Sequence, residues 1–280
     1  MKFVAWLVLG LLLGPTFIDV PYPSIFQSLS QIAGGIFLFF AGWELRFLNM
    51  RKDLRFYGIL LAGSFVIPWL AGYFLLGRNL FLALAMAISA LPVSIQILKE
   101  KNLFHTDVGR RTITLASICD VIAWLLFLFL LPKNDVASWI VSHWIVLAFF
   151  VGLLVGRWKP LKDDSLVLKL QLWLLAPLFF VGLGWKLNIA QDFSFLVFIE
   201  FFAVAVVAKG AGSYLFSRWA GKSHRDSLNM AALLNARGAM EILAAHYAYR
   251  SDLISASQFA ALVLIGVGTA ALAVPLVRKV

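Results

Sequence analysis

Long apolar runs separated by short polar stretches dominate the chain and predict its helices. Many of these runs approach the roughly 20 residues that a helix needs to cross the hydrocarbon core of a bilayer. The pattern predicts an all-α polytopic membrane protein with ten transmembrane helices. The runs lie at 3–14, 31–48, 56–77, 80–98, 112–131, 140–156, 168–185, 194–217, 227–247 and 257–277.

The fourth run is interrupted by a proline. Pro92 removes a main-chain hydrogen bond and should free carbonyl groups near Ile88. Ser89 and Ser94 add hydroxyl groups on either side of this proline. We therefore expect a discontinuous helix whose main-chain and hydroxyl groups are available near the middle of the membrane.

The ninth run is too polar for a plain lipid-facing helix. Gly238 beside Asn235 indicates a second helix break, and Arg237 and Glu241 follow the i, i+4 spacing that lets side chains pair on one helix face. Crossed half-helices direct opposite dipole ends at one another, and a charged pair can compensate them. We favour this compensating role for the pair over direct ion binding, which stays open.

Composition and charge agree with a membrane protein and indicate its orientation. The chain of 280 residues is 62% hydrophobic and 14% charged, with a formal net charge of +10. Of its 24 lysines and arginines, 18 fall in loops on one side, four on the other and two inside the runs. Basic loops face the cytoplasm, which predicts that both termini are cytoplasmic and explains the charge without nucleic acid.

The chain also repeats itself. Phe39-Phe40-Ala41-Gly42 recurs 140 residues later as Phe179-Phe180-Val181-Gly182, and the apolar runs of the two halves share this offset. We interpret this as a duplication into two five-helix repeats, 1–140 and 141–280. Because five is odd, the second repeat inserts upside down, as in secondary transporters whose substrate site lies between interrupted helices.

One acid lies in the middle of the fifth run. Asp120 is costly at that depth, by at least about 2.5 kcal/mol, so it indicates ion or proton handling, with a purely structural role as the alternative. Lys209 lies at about the same depth, ~12 Å from the cytoplasmic face. We expect Lys209 to pair with Asp120, unless its long side chain reaches the interface instead.

The remaining polar residues carry weaker signals. Cys119 is the single cysteine, which excludes an internal disulfide and a cysteine-based zinc site. Glu44 and Glu200 lie near run ends and are interpreted as interfacial. The four histidines show no ligand spacing. We expect no cofactor, no enzyme active site and no soluble regulatory domain, and we interpret residues 1–14 as a retained span instead of a cleaved signal peptide.

Several segments resemble bacterial monovalent cation:proton antiporters of the Kef-type sodium/hydrogen exchanger kind. The resemblance covers nearly the whole chain, and its most specific parts are ASICDVIAWLLF around Asp120 and LLNARGAMEIL around Arg237. It implies a mobile core, a dimerising panel and a bacterial inner-membrane location with lipid and a second copy as partners. It implies no nucleic-acid or soluble partner.

By position, the resemblance assigns Asp120 to the binding of a monovalent cation (Na⁺ or K⁺) and H⁺, and Lys209 to the core lysine. Asn235, Arg237 and Glu241 match the crossed-helix motif. Relatives usually place Asp, Asn or Gln where this chain has Cys119, which affects stoichiometry and ion choice. The chain also looks shorter than relatives, by one span before its first and about two between its halves.

The sequence therefore favours a transporter that exchanges a monovalent cation for protons by alternating access. Two other classes stay open. A ten-span organic-anion symporter of the bile-acid or auxin-carrier type would need a roomy polar cavity, and few hydroxyl or amide groups lie on the crossing helices to line one. A membrane scaffold that no longer transports is the other, and Cys119 is the main argument for it.

Overall fold

The computed structural model describes residues 2–43, 53–130, 136–159 and 166–278. Within these ranges the chain is helical and contains no strand, as the sequence predicts. Two predicted run ends, 44–48 and residue 131, lie outside the described residues, as does Glu44. The helices are α1 Lys2–Leu13, α2 Ser24–Trp43, α3 Leu54–Leu75, α4 Leu80–Ala87, α5 Leu91–Glu100, α6 Asp107–Leu130, α7 Val136–Trp158, α8 at residues 166–186, α9 Phe195–Trp219, α10 His224–Asn235, α11 Ala239–Arg250 and α12 Ala256–Leu276.

Five of these helices, α2, α3, α6, α9 and α12, are long and apolar enough to cross a membrane. Shorter apolar helices occur at Val4–Leu13, Val146–Trp158 and Trp173–Lys186. The fourth and ninth apolar runs are each split in two, as α4 with α5 and α10 with α11. Each break falls where the sequence predicts it, at Pro92 and at Gly238.

The start of α2 differs from the prediction. The helix begins at Ser24, whereas the apolar run begins at residue 31. The first turns carry Gln27, Ser28 and Ser30, so hydropathy alone hides them. Pro23 directly precedes the helix, and its fixed φ suits the residues that lead into a first helical turn.

The chain forms two compact units, each built from two separate stretches of sequence. The first unit contains α1, α2, α7 and α8, and the second contains α3–α6 and α9–α12. Each unit thus takes helices from both halves of the chain. The proposed repeats, 1–140 and 141–280, concern duplication within the sequence, and the units are assembled across that division.

Close main-chain contacts through glycine hold the first unit together. A β-carbon at Gly10 on α1 would overlap the Val181 carbonyl on α8, and one at Gly152 on α7 would overlap the Phe39 carbonyl on α2. The second contact follows from the first when 142 is added to one residue number and subtracted from the other. The same exchange relates two further pairs of contacts: Gly14–Trp185 with Gly156–Trp43, and Gly184–Leu7 with Gly42–Phe149.

In the second unit, α3 carries a wide turn that brings it against α9. Residues Ala62–Val66 form a π-helical turn in the middle of the helix. A β-carbon at Gly63 would lie 2.5 Å from the Gly212 carbonyl oxygen, and one at Gly212 would overlap the Gly63 carbonyl. The two backbones are therefore in direct contact. The turn also places Ser64 inside the unit, fully buried.

Candidate functional site

The two helix breaks meet inside the second unit. The Ala90 main-chain N–H, in the break between α4 and α5, donates to the Ala236 carbonyl in the break between α10 and α11, at 2.8 Å. The Ser94 hydroxyl donates to the Leu233 carbonyl near the end of α10, at 2.7 Å. These bonds satisfy main-chain groups that the interrupted helices leave open and fix the breaks against one another.

Two buried cations cover the carboxyl end of α4. Arg237 donates from Nη1 to the Ala85 carbonyl at 2.5 Å and from Nη2 to the Met86 carbonyl at 2.7 Å. Both carbonyls belong to the last turn of α4, whose oxygens have no partner within the helix. Positive charge is also favourable at this end of the helix dipole. Arg237 therefore caps α4 from a different helix break.

Lys209 completes this cap. Its Nζ donates to the Ala87 carbonyl and to the Ile88 carbonyl, the latter at 2.9 Å. Lys209 extends from α9 and is fully buried. The four carbonyls that end α4 are thus shared between one guanidinium and one ammonium.

Lys209 consequently has different partners from the one expected from the sequence. The expectation rests on its sharing a depth with Asp120, but no ion pair within 4.0 Å joins these two side chains in the described part of the chain. The physical reason is the helix break, which presents carbonyl oxygens to the ammonium. Such main-chain acceptors cannot be identified by residue type.

Arg237 also pairs with Glu241, as the i, i+4 spacing predicts. The Nη1–Oε1 distance is 2.7 Å, and both side chains are fully buried. Glu241 lies in the first turn of α11, where the helix dipole favours negative charge. The pair therefore joins the positive end of one half-helix to the negative end of another. Its second carboxylate oxygen, Oε2, has no hydrogen-bond partner among the described residues.

Asp120 lies midway along α6 and is 1% exposed. Its Oδ1 has no hydrogen-bond partner within the described ranges. Helix α6 packs against α4, α5 and α10, the helices that flank the two breaks. A buried carboxylate without compensation is expensive, so this acid has capacity left for a proton or a cation.

Cys119, which precedes Asp120, contacts the wide turn of α3. Its Sγ lies 3.8 Å from the Ser64 hydroxyl, and both residues are fully buried. Sequence reasoning missed Ser64, because a lone serine in an apolar run gives no signal. The described residues contain no group of three His, Cys, Asp or Glu side chains that could hold a metal ion.

Further buried polar atoms belong to the predicted residues and to their neighbours. The Ser89 hydroxyl, in the first break, and the Ser117 hydroxyl, on α6, have no partner among the described residues. Asn235 ends α10 and donates to the Val206 carbonyl at 3.5 Å, while its Oδ1 is likewise without a described partner. Glu200 is exposed on α9, in agreement with its interpretation as an interfacial residue.

A protein-family model described as "Sodium/hydrogen exchanger, transmembrane" matches this chain over residues 2–161 and 136–279. Together the two matches cover nearly the whole sequence.

Curated relatives carry the same description of activity in their names. The chain is 24% identical to "Cation/H(+) antiporter 18" of Arabidopsis thaliana, over 100% of this chain and 46% of the relative. It is 29% identical to "Cation/H(+) antiporter 19" of the same plant, over 57% of this chain and 24% of the relative. The chain thus spans about half, or less, of these plant proteins.

A microbial relative is closer in length. "Na(+)/H(+) antiporter NhaS4" of Synechocystis is 23% identical, over 98% of this chain and 89% of the relative. That alignment extends over 367 positions, whereas this chain has 280 residues. The relative therefore contains stretches without a counterpart here, in line with the shortened form expected from the sequence.

A solved structure shares the fold. The sodium proton antiporter MjNhaP1 from Methanocaldococcus jannaschii matches with a TM-score of 0.62 at 16% identity, over 98% of this chain and 89% of that chain. At this identity the likeness concerns the arrangement of helices.

Proposed function

The chain belongs to the sodium/hydrogen exchanger family, and on that premise we propose that this integral membrane protein exchanges a monovalent cation for protons by alternating access. The observation that carries the proposal is Asp120, a fully buried acid with an unpartnered oxygen on a helix packed against both helix breaks. We assign it the role of binding H⁺ and the cation alternately.

The chemistry follows from the group that Asp120 offers. A carboxylate that loses its proton gains a charge, and a hard cation such as Na⁺ or K⁺ prefers oxygen ligands. The unpartnered hydroxyls of Ser89 and Ser117 are the additional oxygens we propose as ligands. Because proton and cation compete for one carboxylate, each displaces the other, which is the basis of exchange.

Arg237, Glu241 and Lys209 receive a supporting role in this proposal. Their hydrogen bonds are to the end of α4 and to one another. They neutralise the half-helix dipoles and fix the breaks, so that the transported ion does not have to. Compensation is thus the role that we assign to the Arg237–Glu241 pair.

We propose the inverted repeat as the architecture of the transporter. The glycine contacts of the first unit support it, since three pairs of contacts exchange under one offset of 142 residues. The offset matches the sequence echoes. Ten spans, cytoplasmic termini, a bacterial inner-membrane location, lipid contact and a homodimer complete this proposal, with the charge bias of the loops as support for the orientation.

The test is exchange in proteoliposomes that hold a pH gradient and a pH-sensitive dye. Addition of Na⁺ or K⁺ should dissipate the gradient, and comparison with Li⁺ and Rb⁺ identifies the cation. Asp120→Asn should abolish the response, because an amide carries no charge and does not exchange a proton. Glu200→Gln, which removes an exposed acid from a long apolar helix, is the matched control and should retain exchange.

Transport that survives Asp120→Asn would overturn the assignment of this residue. A wild-type protein that folds and inserts but responds to none of the four cations would instead support the non-transporting scaffold. Thermal unfolding of each variant separates loss of exchange from loss of the fold.

A further inference from the structure

A cavity of about 890 Å³ lies within the second unit, between α9, α10 and the end of α12. It falls in the size range of small-molecule sites. It extends along α10 from His224 to Asn235, a distance of about 16 Å for a helix of that length. Asp120 and Lys209 are not among the residues that line it, so it is distinct from the site described above.

The cavity is basic at one end. His224, Arg225 and Arg278 line this end, and no carboxylate is among the described lining residues. Helix α10 begins at His224, so its positive dipole end adds to the same field. A cation would be repelled here, which makes the cavity unsuitable as a cation pathway. An anion would be attracted.

The basic end is held in place by hydrogen bonds. The buried Asn229 side chain donates to the Arg278 carbonyl at 3.1 Å and accepts from the Arg278 N–H at 3.0 Å. The Tyr214 hydroxyl and His224 Nδ1 lie 2.8 Å apart. The main chain at Arg278 and the ring of His224 are therefore positioned without any ligand.

The walls beyond the basic end are apolar and partly exposed. Val206, Leu228 and Leu276 contribute to them, and Leu228 and Leu276 are 44% and 59% exposed. In a membrane-spanning unit such residues face lipid. A soluble anion would leave these walls uncovered, whereas an amphiphile would contact both the charges and the walls.

We propose that this cavity binds an anionic phospholipid. Its phosphate lies between Arg225 and Arg278, and one acyl chain lies along α10 towards Asn235. The length of the cavity agrees with this occupant, because about 16 Å is close to half of a hydrocarbon core of about 30 Å. The basic end faces the cytoplasm if the loop charges orient the protein, and basic pockets between helices on that side suit anionic headgroups.

The experiment uses the full chain in phosphatidylcholine nanodiscs with increasing fractions of phosphatidylglycerol, and native mass spectrometry counts the retained lipid. The wild type should retain phosphatidylglycerol over phosphatidylcholine. The double variant Arg225→Gln/Arg278→Gln should bind it about 30-fold more weakly, from the effect of two basic side chains near the membrane surface. Arg55→Gln/Arg110→Gln removes two exposed arginines outside the cavity and is the matched control.

A second variant keeps all charges and fills the cavity instead. Ala211 lines the cavity and is exposed, so Ala211→Phe should exclude the acyl chain without disturbing packing, and should also reduce retention. Equal retention by the wild type, the double variant and Ala211→Phe would overturn the proposal. Displacement of the lipid by millimolar glycerol phosphate or inorganic phosphate would also overturn it, since the ligand would then be a soluble anion.

Discussion

Lys209 donates from its buried ammonium to the carbonyl oxygen of Ile88, at 2.9 Å, in the break that follows α4. With the neighbouring bond to Ala87 it caps a half-helix whose last carbonyls have no partner of their own. The lysine thus acts as a structural group at the break, even though it lies at the depth of the candidate ion-binding acid.

Lys209→Met should therefore destabilise the protein. The methionine fills similar space but donates no hydrogen bond, which leaves two buried carbonyls unsatisfied at about 1–3 kcal/mol each. Thermal unfolding in detergent should show a clear decrease in melting temperature. Lys101→Met, at the end of α5, is the control and should change it little. An unchanged melting temperature for Lys209→Met would contradict the capping role.

Arg237→Leu should be more damaging than Glu241→Gln. The leucine leaves the Ala85 and Met86 carbonyls and the Glu241 carboxylate without their donor, and breaking a buried pair costs about 3–5 kcal/mol. The glutamine keeps an oxygen that can accept from Arg237, so part of the contact survives. Expression and thermal unfolding should rank wild type, Glu241→Gln and Arg237→Leu in that order. A well-folded Glu241→Gln protein with an altered cation preference would show that Glu241 binds the ion.

Gly63→Ala and Gly212→Ala should each lower stability. The added β-carbon would meet the main chain of the facing helix, which cannot move aside as a flexible side chain could. Gly58→Ala, earlier on α3, is the matched control, because a β-carbon there meets nothing within 4 Å. That control should stabilise the helix by up to about 1 kcal/mol, since alanine favours helix over glycine. Equal effects at positions 58 and 63 would refute the contact.

Asp107→Asn should have a small and salt-dependent effect. Asp107 accepts from Arg111 Nε at 2.8 Å and from Lys222 Nζ at 2.5 Å, and its side chain is 59% exposed. Exposed ion pairs contribute about 1 kcal/mol or less and are screened by salt. Unfolding measured at low and high salt should show the difference between wild type and variant shrinking as salt rises. A loss as large as that of Arg237→Leu would contradict this ranking.

The helix breaks and the Arg237–Glu241 pair could be predicted from sequence because proline, glycine and i, i+4 spacing act locally. The partners of Lys209 could not, since main-chain carbonyls have no sequence signature. The same reason hid Ser64, which becomes relevant through the π-helical turn that places it beside Cys119. The early start of α2 was hidden by polar residues that a helix end tolerates.

The π-helical turn at Ala62–Val66 makes α3 sensitive to its own residue count. Deleting one residue there would restore the regular helical repeat, but it would rotate everything before the turn by about 100° about the helix axis. Tyr57 and Leu60, which are buried, would leave their positions, while the residues after the turn kept theirs. The wide turn thus sets the rotational register between the two ends of α3, and a single-codon deletion there should be tolerated less well than most substitutions.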